Sequence, residues 1–259
     1  MKKARIGIIG GTDFLSPIDE GTEIRMGTPY GPSPTIMIGK FGGKDVAYLP
    51  RHGKKHNLPP HKINYRANVW ALQALGVERV LALNAVGAIN TKYSLGDFAI
   101  PTDFVDFTKS RSFTFYNEAP VTHIDVSTPY CPELRKILFE TAKKVIEGVW
   151  HDAIYLCTEG PRYETPAEIQ VFRKLSCDVA GMTGLPELVL ARELEMCYAS
   201  LCFVTNMAAG LQKHLSAELI VEVSRKLKKP LQDVLKEAIE SIPWKRSCLC
   251  SRTLEGTRV

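Results

Sequence analysis

Segments with the pattern of β-strands alternate with segments that have the pattern of helices along the whole 259-residue chain. Short apolar runs such as 80–85, which carries no charge, are typical of strands buried inside a sheet. In 231–239, apolar residues recur every three or four positions, which predicts one buried helical stripe. No repeat, linker or change of composition divides the chain. The pattern therefore predicts one α/β domain around a central mixed, twisted sheet flanked by helices.

The predicted domain covers residues 1–242, and a polar tail of residues 243–259 follows it. The clearest local signal is Thr165-Pro166-Ala167-Glu168, which predicts a helix start with a capping box. Pro230 interrupts the last helical pattern. The predicted strands are 5–9, 35–38, 45–49, 80–85, 98–107 and 197–205, and the predicted helices are 63–75, 132–147, 186–196 and 217–242.

Composition and charge exclude several classes of protein. The 33 Lys and Arg residues against 28 Asp and Glu leave a net charge of +5, too small and too scattered for a nucleic-acid footprint. No stretch approaches the roughly 20 consecutive apolar residues of a membrane helix. The N-terminal MKKARIGIIGG is not a signal peptide, because its short apolar run leads into a glycine-rich loop. A cytoplasmic protein that binds neither nucleic acid nor membrane is expected.

Sequence signatures of four common enzyme mechanisms are absent. The chain contains no GxxxxGK[ST], no GxGxxG after its first strand, no GxSxG and no HExxH. ATP hydrolysis, dinucleotide redox chemistry, serine-hydrolase chemistry and zincin chemistry therefore have no local support.

Groups suited to an anion follow two predicted strands. Gly10-Gly11-Thr12 could present backbone N–H groups and a hydroxyl to a phosphate, although a tight turn without a ligand explains it equally well. Arg51 and His52 follow the strand that ends at Leu49 and suit a phosphate or carboxylate. A surface ion pair is the alternative for Arg51.

Groups suited to a flat heterocycle follow other predicted elements. Tyr163 and Glu164 stand just before the capped helix and would offer an aromatic face beside a carboxylate. Asn206 carries both a donor and an acceptor, as reading a purine edge requires, and Thr183 follows a short strand. A helix N-cap is the alternative for Thr183, and a turn is the alternative for Asn206. Ligands of α/β folds collect at such strand ends, which favours one shared site.

The seven cysteines include one unusual pair, Cys248 and Cys250, in the polar tail. A zinc half-site spaces its cysteines by two to four residues, whereas a single residue separates Cys248 from Cys250. The spacing of His52, His56 and His61 also matches no common metal pattern. We therefore expect no metal, and favour a redox-active or disulfide-forming tail.

Six motifs in order along residues 5–242 carry a resemblance to one known family. They are GGTDF, RHGKKHNLPPHKINYRANVWAL, NAVGAI, CTEGPRYETPAEI, GMTGLPELVLARE and TNMAAG. Together they resemble the trimeric purine nucleoside phosphorylase and methylthioadenosine phosphorylase family. VTHIDVSTPY, GMTGLPE and TNMAAG are most similar to its S-methyl-5′-thioinosine phosphorylase branch.

The resemblance implies a partly barrel-like sheet, a homotrimer or dimer of trimers, and phosphorolysis of an N-glycosidic bond. Inorganic phosphate is then a co-substrate, and no other cofactor is expected. The products are a free purine, which enters purine salvage, and a ribose 1-phosphate or methylthioribose 1-phosphate. The implied phosphate-binding residues are Thr12, Arg51, His52, Ala85 and Thr183. The implied substrate-binding residues are Tyr163, Glu164, Met182, Asn206, Met207, Ala208 and, from a neighbouring subunit, His123. Asn206 and Glu164 are the predicted catalytic residues.

The preferred purine base is predicted from positions at which this chain differs from other members of the family. The adenosine-type relatives carry a TDYD-like motif, with Asp at the positions of Asn206 and Ala208 in this chain. They also lack an acidic residue at the position of Glu164. An amide suits O6 of a 6-oxopurine, and Glu164 can accept its N1–H. This favours methylthioinosine, inosine or guanosine as substrate. A methylthioadenosine phosphorylase, a hydrolytic nucleosidase and a nucleoside-binding protein are the alternatives.

The tail also resembles part of the family. Its Cys248-Leu249-Cys250 resembles the CxC tail of methylthioadenosine phosphorylases from hyperthermophilic archaea, where the motif is associated with disulfides.

Overall fold

A nine-stranded mixed sheet forms the centre of the protein. A computed structural model describes residues 3–11, 16–54 and 56–259. The strand order in the sheet is β10-β9-β8-β11-β7-β1-β6-β5-β2, and β3 and β4 form a separate two-stranded pair. The strands are β1 (Ile6–Gly10), β2 (Gly21–Ile24), β3 (Gly27–Thr28), β4 (Gly31–Pro32), β5 (Ile36–Phe41), β6 (Lys44–Pro50), β7 (Arg79–Ala88), β8 (Phe98–Phe107), β9 (Val149–Thr158), β10 (Val179–Gly181) and β11 (Cys197–Met207).

One part of the sheet closes on itself. The short strand β10 pairs in parallel with β9 and antiparallel with β7, so strands β7, β11, β8, β9 and β10 form a closed ring. Strands β6, β1, β7 and β11 run parallel to one another, which places their carboxyl ends at the same edge. The predicted mixed and partly barrel-like sheet is confirmed.

Helices cover both faces of the sheet. They are α1 (Tyr65–Ala74), α2 (Pro132–Ala142), α3 (Pro166–Lys174), α4 (Glu187–Glu193) and α5 (Ala217–Ser241). Helices α1 and α4 pack with the sheet around one buried apolar cluster, and α2 and α5 around a second on the opposite face. The capping box at α3 is confirmed: Thr165 Oγ1 accepts from the N–H of Glu168, whose carboxylate accepts from the N–H of Thr165.

The main differences from the predicted helices concern α5, α2 and α4. Helix α5 continues through Pro230, although a break was expected there. The buried stripe that includes Leu227, Leu231 and Val234 runs across the proline, and its packing outweighs the lost backbone hydrogen bond. Helix α2 ends at Ala142 and not at 147, and α4 is shorter than predicted at both ends.

The tail folds back onto the domain. Thr122 and Arg258 form a β-bridge, and the N–H of Val259 donates to the carbonyl of Val121. The expected Cys248–Cys250 disulfide is not formed, since both residues are free thiols. Their Sγ atoms instead meet those of two core cysteines, a second pair that the sequence spacing does not reveal. Within the described ranges, no helix is long and apolar enough to cross a membrane.

Candidate active site

A cavity lies where the carboxyl ends of β1, β6, β7, β10 and β11 meet. It brings together most of the residues predicted to bind phosphate and substrate. These are Arg51, His52, Ala85, Tyr163, Glu164, Met182, Thr183, Asn206 and Ala208. The expectation that strand ends share one site is therefore correct for this sheet.

Arg51 is held by a buried carboxylate. Its Nε and Nη2 donate to the two carboxylate oxygens of Glu187, each at 2.7 Å, and its Nη1 donates to the carbonyl of Leu83 at 2.8 Å. Both side chains are fully buried, so the alternative of a surface ion pair is wrong. Burial opposes the charge of Arg51, but Glu187 outweighs it and raises the pKa of the guanidinium.

The Arg51 guanidinium lines the cavity and has N–H groups that its protein partners do not use. Of its five N–H groups, the three contacts just described use three, which leaves two for a ligand. A Cβ added to Gly11 would lie 3.2 Å from Nη1 of Arg51 and 2.7 Å from the carbonyl oxygen of Leu83. Only glycine lets the end of β1 approach Arg51 this closely.

His52 is neutral and has a fixed tautomer. Its Nδ1 lies 2.8 Å from the carbonyl oxygen of Leu58, and because a carbonyl only accepts, Nδ1 carries the hydrogen. Burial lowers the pKa of His52 to about 4, although the hydrogen bond to Leu58 opposes the shift. At neutral pH the ring therefore has Nε2 as its acceptor.

Thr183 is positioned by a chain of three side chains. Asn84 Nδ2 donates to Thr183 Oγ1 at 2.9 Å, and Ser200 Oγ donates to Asn84 Oδ1 at 2.6 Å. All three residues are buried. Since Thr183 Oγ1 already accepts from Asn84, its own hydroxyl hydrogen is left to donate into the cavity.

Asn206 lies at the end of β11 with its amide held at both ends. Thr205 Oγ1 donates to Oδ1 at 2.9 Å, and Nδ2 donates to the carbonyl of Met207 at 3.0 Å. A Cβ added to Gly87 would lie 2.8 Å from Nδ2, so this glycine makes room for the amide. The amide is therefore fixed in one orientation, in which one N–H and one lone pair remain for a ligand.

Glu164 and Tyr163 stand at the mouth of the cavity, before α3. Thr158 Oγ1 donates to Glu164 Oε1 at 2.6 Å, which leaves Oε2 open to a ligand. Tyr163 is 39% exposed, as expected of a ring that would cover a bound base. Arg162 forms two hydrogen bonds with Glu168 of the capping box, which anchors this loop to α3.

Three predicted residues lie elsewhere. The side chain of Met207 packs against the apolar cluster beneath α1 and α4 and does not line the cavity, because β11 alternates its side chains. His123 is exposed and is also absent from the cavity lining of its own chain. Thr12 lies outside the described residues.

The structure also adds residues to the site. Glu187 holds Arg51, and Asn84 holds Thr183. Leu215, just before α5, and Ile220, in its first turn, also line the cavity. The sequence signal for Asn84 was its position as the one polar side chain inside the otherwise apolar run 80–88. Glu187 had no local signal, because its partner is 136 positions away in the chain.

The low pKa of His52 predicts an acid-dependent loss of stability. Between pH 6.5 and 4 the unfolded chain binds a proton at His52 and the folded chain does not, so the free energy of unfolding falls as the pH falls. The full loss is about 3 kcal/mol. Urea unfolding at several pH values should show a shallower dependence in His52→Gln than in wild type. The exposed His123→Gln is the control, and an unchanged slope in His52→Gln would contradict the assignment.

Comparisons with known proteins agree with this fold and site. A probable S-methyl-5′-thioinosine phosphorylase of Methanopyrus kandleri is 50% identical over 98% of this chain and 99% of its own length. A probable 6-oxopurine nucleoside phosphorylase of Moorella thermoacetica is 48% identical over 95% and 96%. The crystal structure of a methylthioadenosine phosphorylase from an antarctic soil metagenomic library superposes with a TM-score of 0.94 at 33% identity, covering 100% of this chain and 93% of that one.

The family model that matches describes the phosphorylase superfamily and covers residues 5–240. Its match spans every strand and helix that contributes to the cavity. With full-length relatives at this level of identity, the chain belongs to the phosphorylase superfamily, among its purine nucleoside phosphorylases.

Proposed function

We propose that this protein cleaves 6-oxopurine nucleosides with phosphate, giving the free purine and a ribose 1-phosphate or methylthioribose 1-phosphate. The observation that carries the proposal is one cavity with anion donors at one end and an amide beside a carboxylate at the other. The names of the two relatives, a probable methylthioinosine phosphorylase and a probable 6-oxopurine nucleoside phosphorylase, support the same choice.

The phosphate would bind against Arg51, His52 and Thr183. Arg51 supplies its two remaining N–H groups, and Thr183 supplies the hydroxyl hydrogen that Asn84 leaves free. Neutral His52 accepts from a protonated phosphate oxygen through Nε2. Because Glu187 already balances the charge of Arg51, the phosphate keeps its own negative charge beneath the sugar.

The reaction needs no nucleophilic side chain. A phosphate oxygen forms a bond to C1′ while the C1′–N9 bond breaks, and the bonding electron pair leaves with the purine. Positive charge develops on the ribose ring in the transition state, and the phosphate beneath it stabilises that charge. The remaining N–H of Asn206 donates to the purine, where negative charge accumulates.

The base-binding groups favour an oxygen at position 6. A 6-oxopurine carries O6, which accepts, and N1–H, which donates. The Asn206 N–H and the open Oε2 of Glu164 are the complementary partners. A second candidate, methylthioadenosine, has support from the structural likeness to a methylthioadenosine phosphorylase. Its N1 lone pair would face the Glu164 carboxylate, which makes it the poorer candidate.

Assembly and cofactors complete the proposal. His123 is exposed and does not reach the cavity of its own chain, so a role at the 5′ end requires a neighbouring subunit, as in a trimer or dimer of trimers. The proposed chemistry needs no metal or organic cofactor, since phosphate is the nucleophile and purine departure is assisted by hydrogen bonds.

Phosphate dependence is the direct test. Base release from methylthioinosine and inosine, followed by the change in purine absorbance, is expected only when phosphate is present. Added Mg²⁺ or Zn²⁺ is expected not to raise the rate. Undiminished base release in phosphate-free buffer would identify a hydrolase, and binding without base release a nucleoside-binding protein.

A further inference from the structure

Four cysteines from distant parts of the chain meet at one point. Their Sγ atoms all lie within 4.8 Å of one another. Cys131 is the N-cap of α2, Cys197 is the first residue of β11, and Cys248 and Cys250 belong to the tail. None of the four lines the active-site cavity. The cluster therefore joins the tail to the core at a place remote from the proposed chemistry.

The spacing of the sulfurs suits a tetrahedral ion. Zn–S bonds of about 2.3 Å place the four sulfurs of a Cys₄ site about 3.8 Å apart. Cys197 Sγ and Cys248 Sγ are 3.4 Å apart. All four residues are free thiols, so their sulfur atoms lie close together without being joined in disulfides. Three of these residues are buried, and Cys248 is partly buried. Water therefore has little access to the centre of the cluster.

The backbone holds the ligand positions in place. The N–H of Cys131 donates to the carbonyl of Tyr198, and the N–H of Cys197 donates to the carbonyl of Glu78. On the tail side, the N–H and hydroxyl of Ser247 both donate to the Glu133 carboxylate of α2. Both cysteine pairs are thus anchored independently of any sulfur contact.

A buried cation lies near the cluster. Arg192 is 6% exposed, and its Nε and Nη1 have no hydrogen-bond partner among the described residues. A neutral pair of disulfides offers a buried guanidinium no compensation, whereas a group of thiolates does.

We propose that Cys131, Cys197, Cys248 and Cys250 form a structural Zn²⁺ site. Each thiol loses its proton to solvent as its sulfur binds, so four thiolates and one dication leave a net charge of −2 beside Arg192. No oxidation occurs. The ion fastens the tail to the start of β11 and to α2, and it takes no part in cleavage of the nucleoside.

Metal binding to the reduced chain tests this directly. Reduced, metal-free protein is given Zn²⁺ or Co²⁺, excess metal is removed, and bound metal is measured by elemental analysis. The wild type is expected to hold about one ion per chain, and its cobalt form to show the visible absorption of tetrahedral thiolate coordination. The Cys248→Ser/Cys250→Ser variant is expected to hold none. Cys177→Ser, which replaces a buried cysteine outside the cluster, is expected to behave as wild type.

Two results would overturn the proposal. One is a reduced wild type, folded by circular dichroism, that retains no ion or binds it equally well after loss of the tail cysteines. The other is protein purified without reductant whose intact mass shows two disulfides and whose four thiols resist alkylation, because these residues would then serve as covalent bridges. Circular dichroism of the tail variant separates lost ligands from lost folding.

Discussion

Methylthioinosine is expected to be cleaved with a kcat/KM about thirtyfold to more than ten-thousandfold higher than methylthioadenosine. The 6-aminopurine reverses the polarity at both of its contacts: its N1 lone pair faces Glu164, and its amino group donates toward the N–H of Asn206. Each mismatched contact in a buried site costs about 1–3 kcal/mol. The amide of Asn206 is held by Thr205 and Met207, so it cannot turn to relieve the mismatch.

Two substitutions should narrow this preference. Glu164→Gln is expected to reduce the ratio most, because its amide N–H can donate to N1 of adenine. Asn206→Asp should also reduce it, but at a cost in activity, since one carboxylate oxygen would face the carbonyl of Met207 at about the present 3.0 Å. Glu218→Gln changes a nearby exposed carboxylate that does not line the cavity and is the matched control. A wild type that prefers methylthioadenosine, or a ratio unmoved by Glu164→Gln, would show that these residues do not select the base.

Loss of Arg51 is expected to have the second large effect. Arg51→Ala removes a charge-assisted partner of the bound anion, which costs about 2–4 kcal/mol, or roughly thirty- to a thousandfold in kcat/KM for phosphate. The same change leaves Glu187 buried without its partner, which destabilises the fold by about 3–5 kcal/mol. Phosphate kinetics and thermal unfolding should therefore both change.

A double variant separates the two roles of Arg51. Arg51→Ala/Glu187→Gln removes the uncompensated charge, and Tyr198 can still donate to the remaining amide oxygen. Its stability should recover in part while its use of phosphate remains poor. If phosphate use recovers together with stability, Arg51 supports the fold and does not bind the anion.

Local signals predicted the fold and about half of the site, and long-range contacts account for the rest. The Thr165 capping box and the strand ends at Arg51 and Asn206 could be predicted because their signals span a few residues. The carboxylate that pairs with Arg51 lies on α4, and no pattern near Glu187 distinguishes it from a surface residue. Cys131 and Cys197 likewise look like ordinary buried cysteines until the tail brings Cys248 and Cys250 to them.

Helix α5 joins two regions of different local stability. Its residues before Pro230 are mostly exposed or half-buried, and Ile220 lines the cavity there, whereas Leu231, Val234 and Leu235 beyond the proline are fully buried. Pro230 has no N–H to donate, so the ladder of backbone hydrogen bonds is interrupted between the two halves. The turns of α5 before Ser224 contain no buried residue and can therefore fray without loosening the core. Amide hydrogen exchange should therefore be faster in these turns than in the part of α5 beyond the proline.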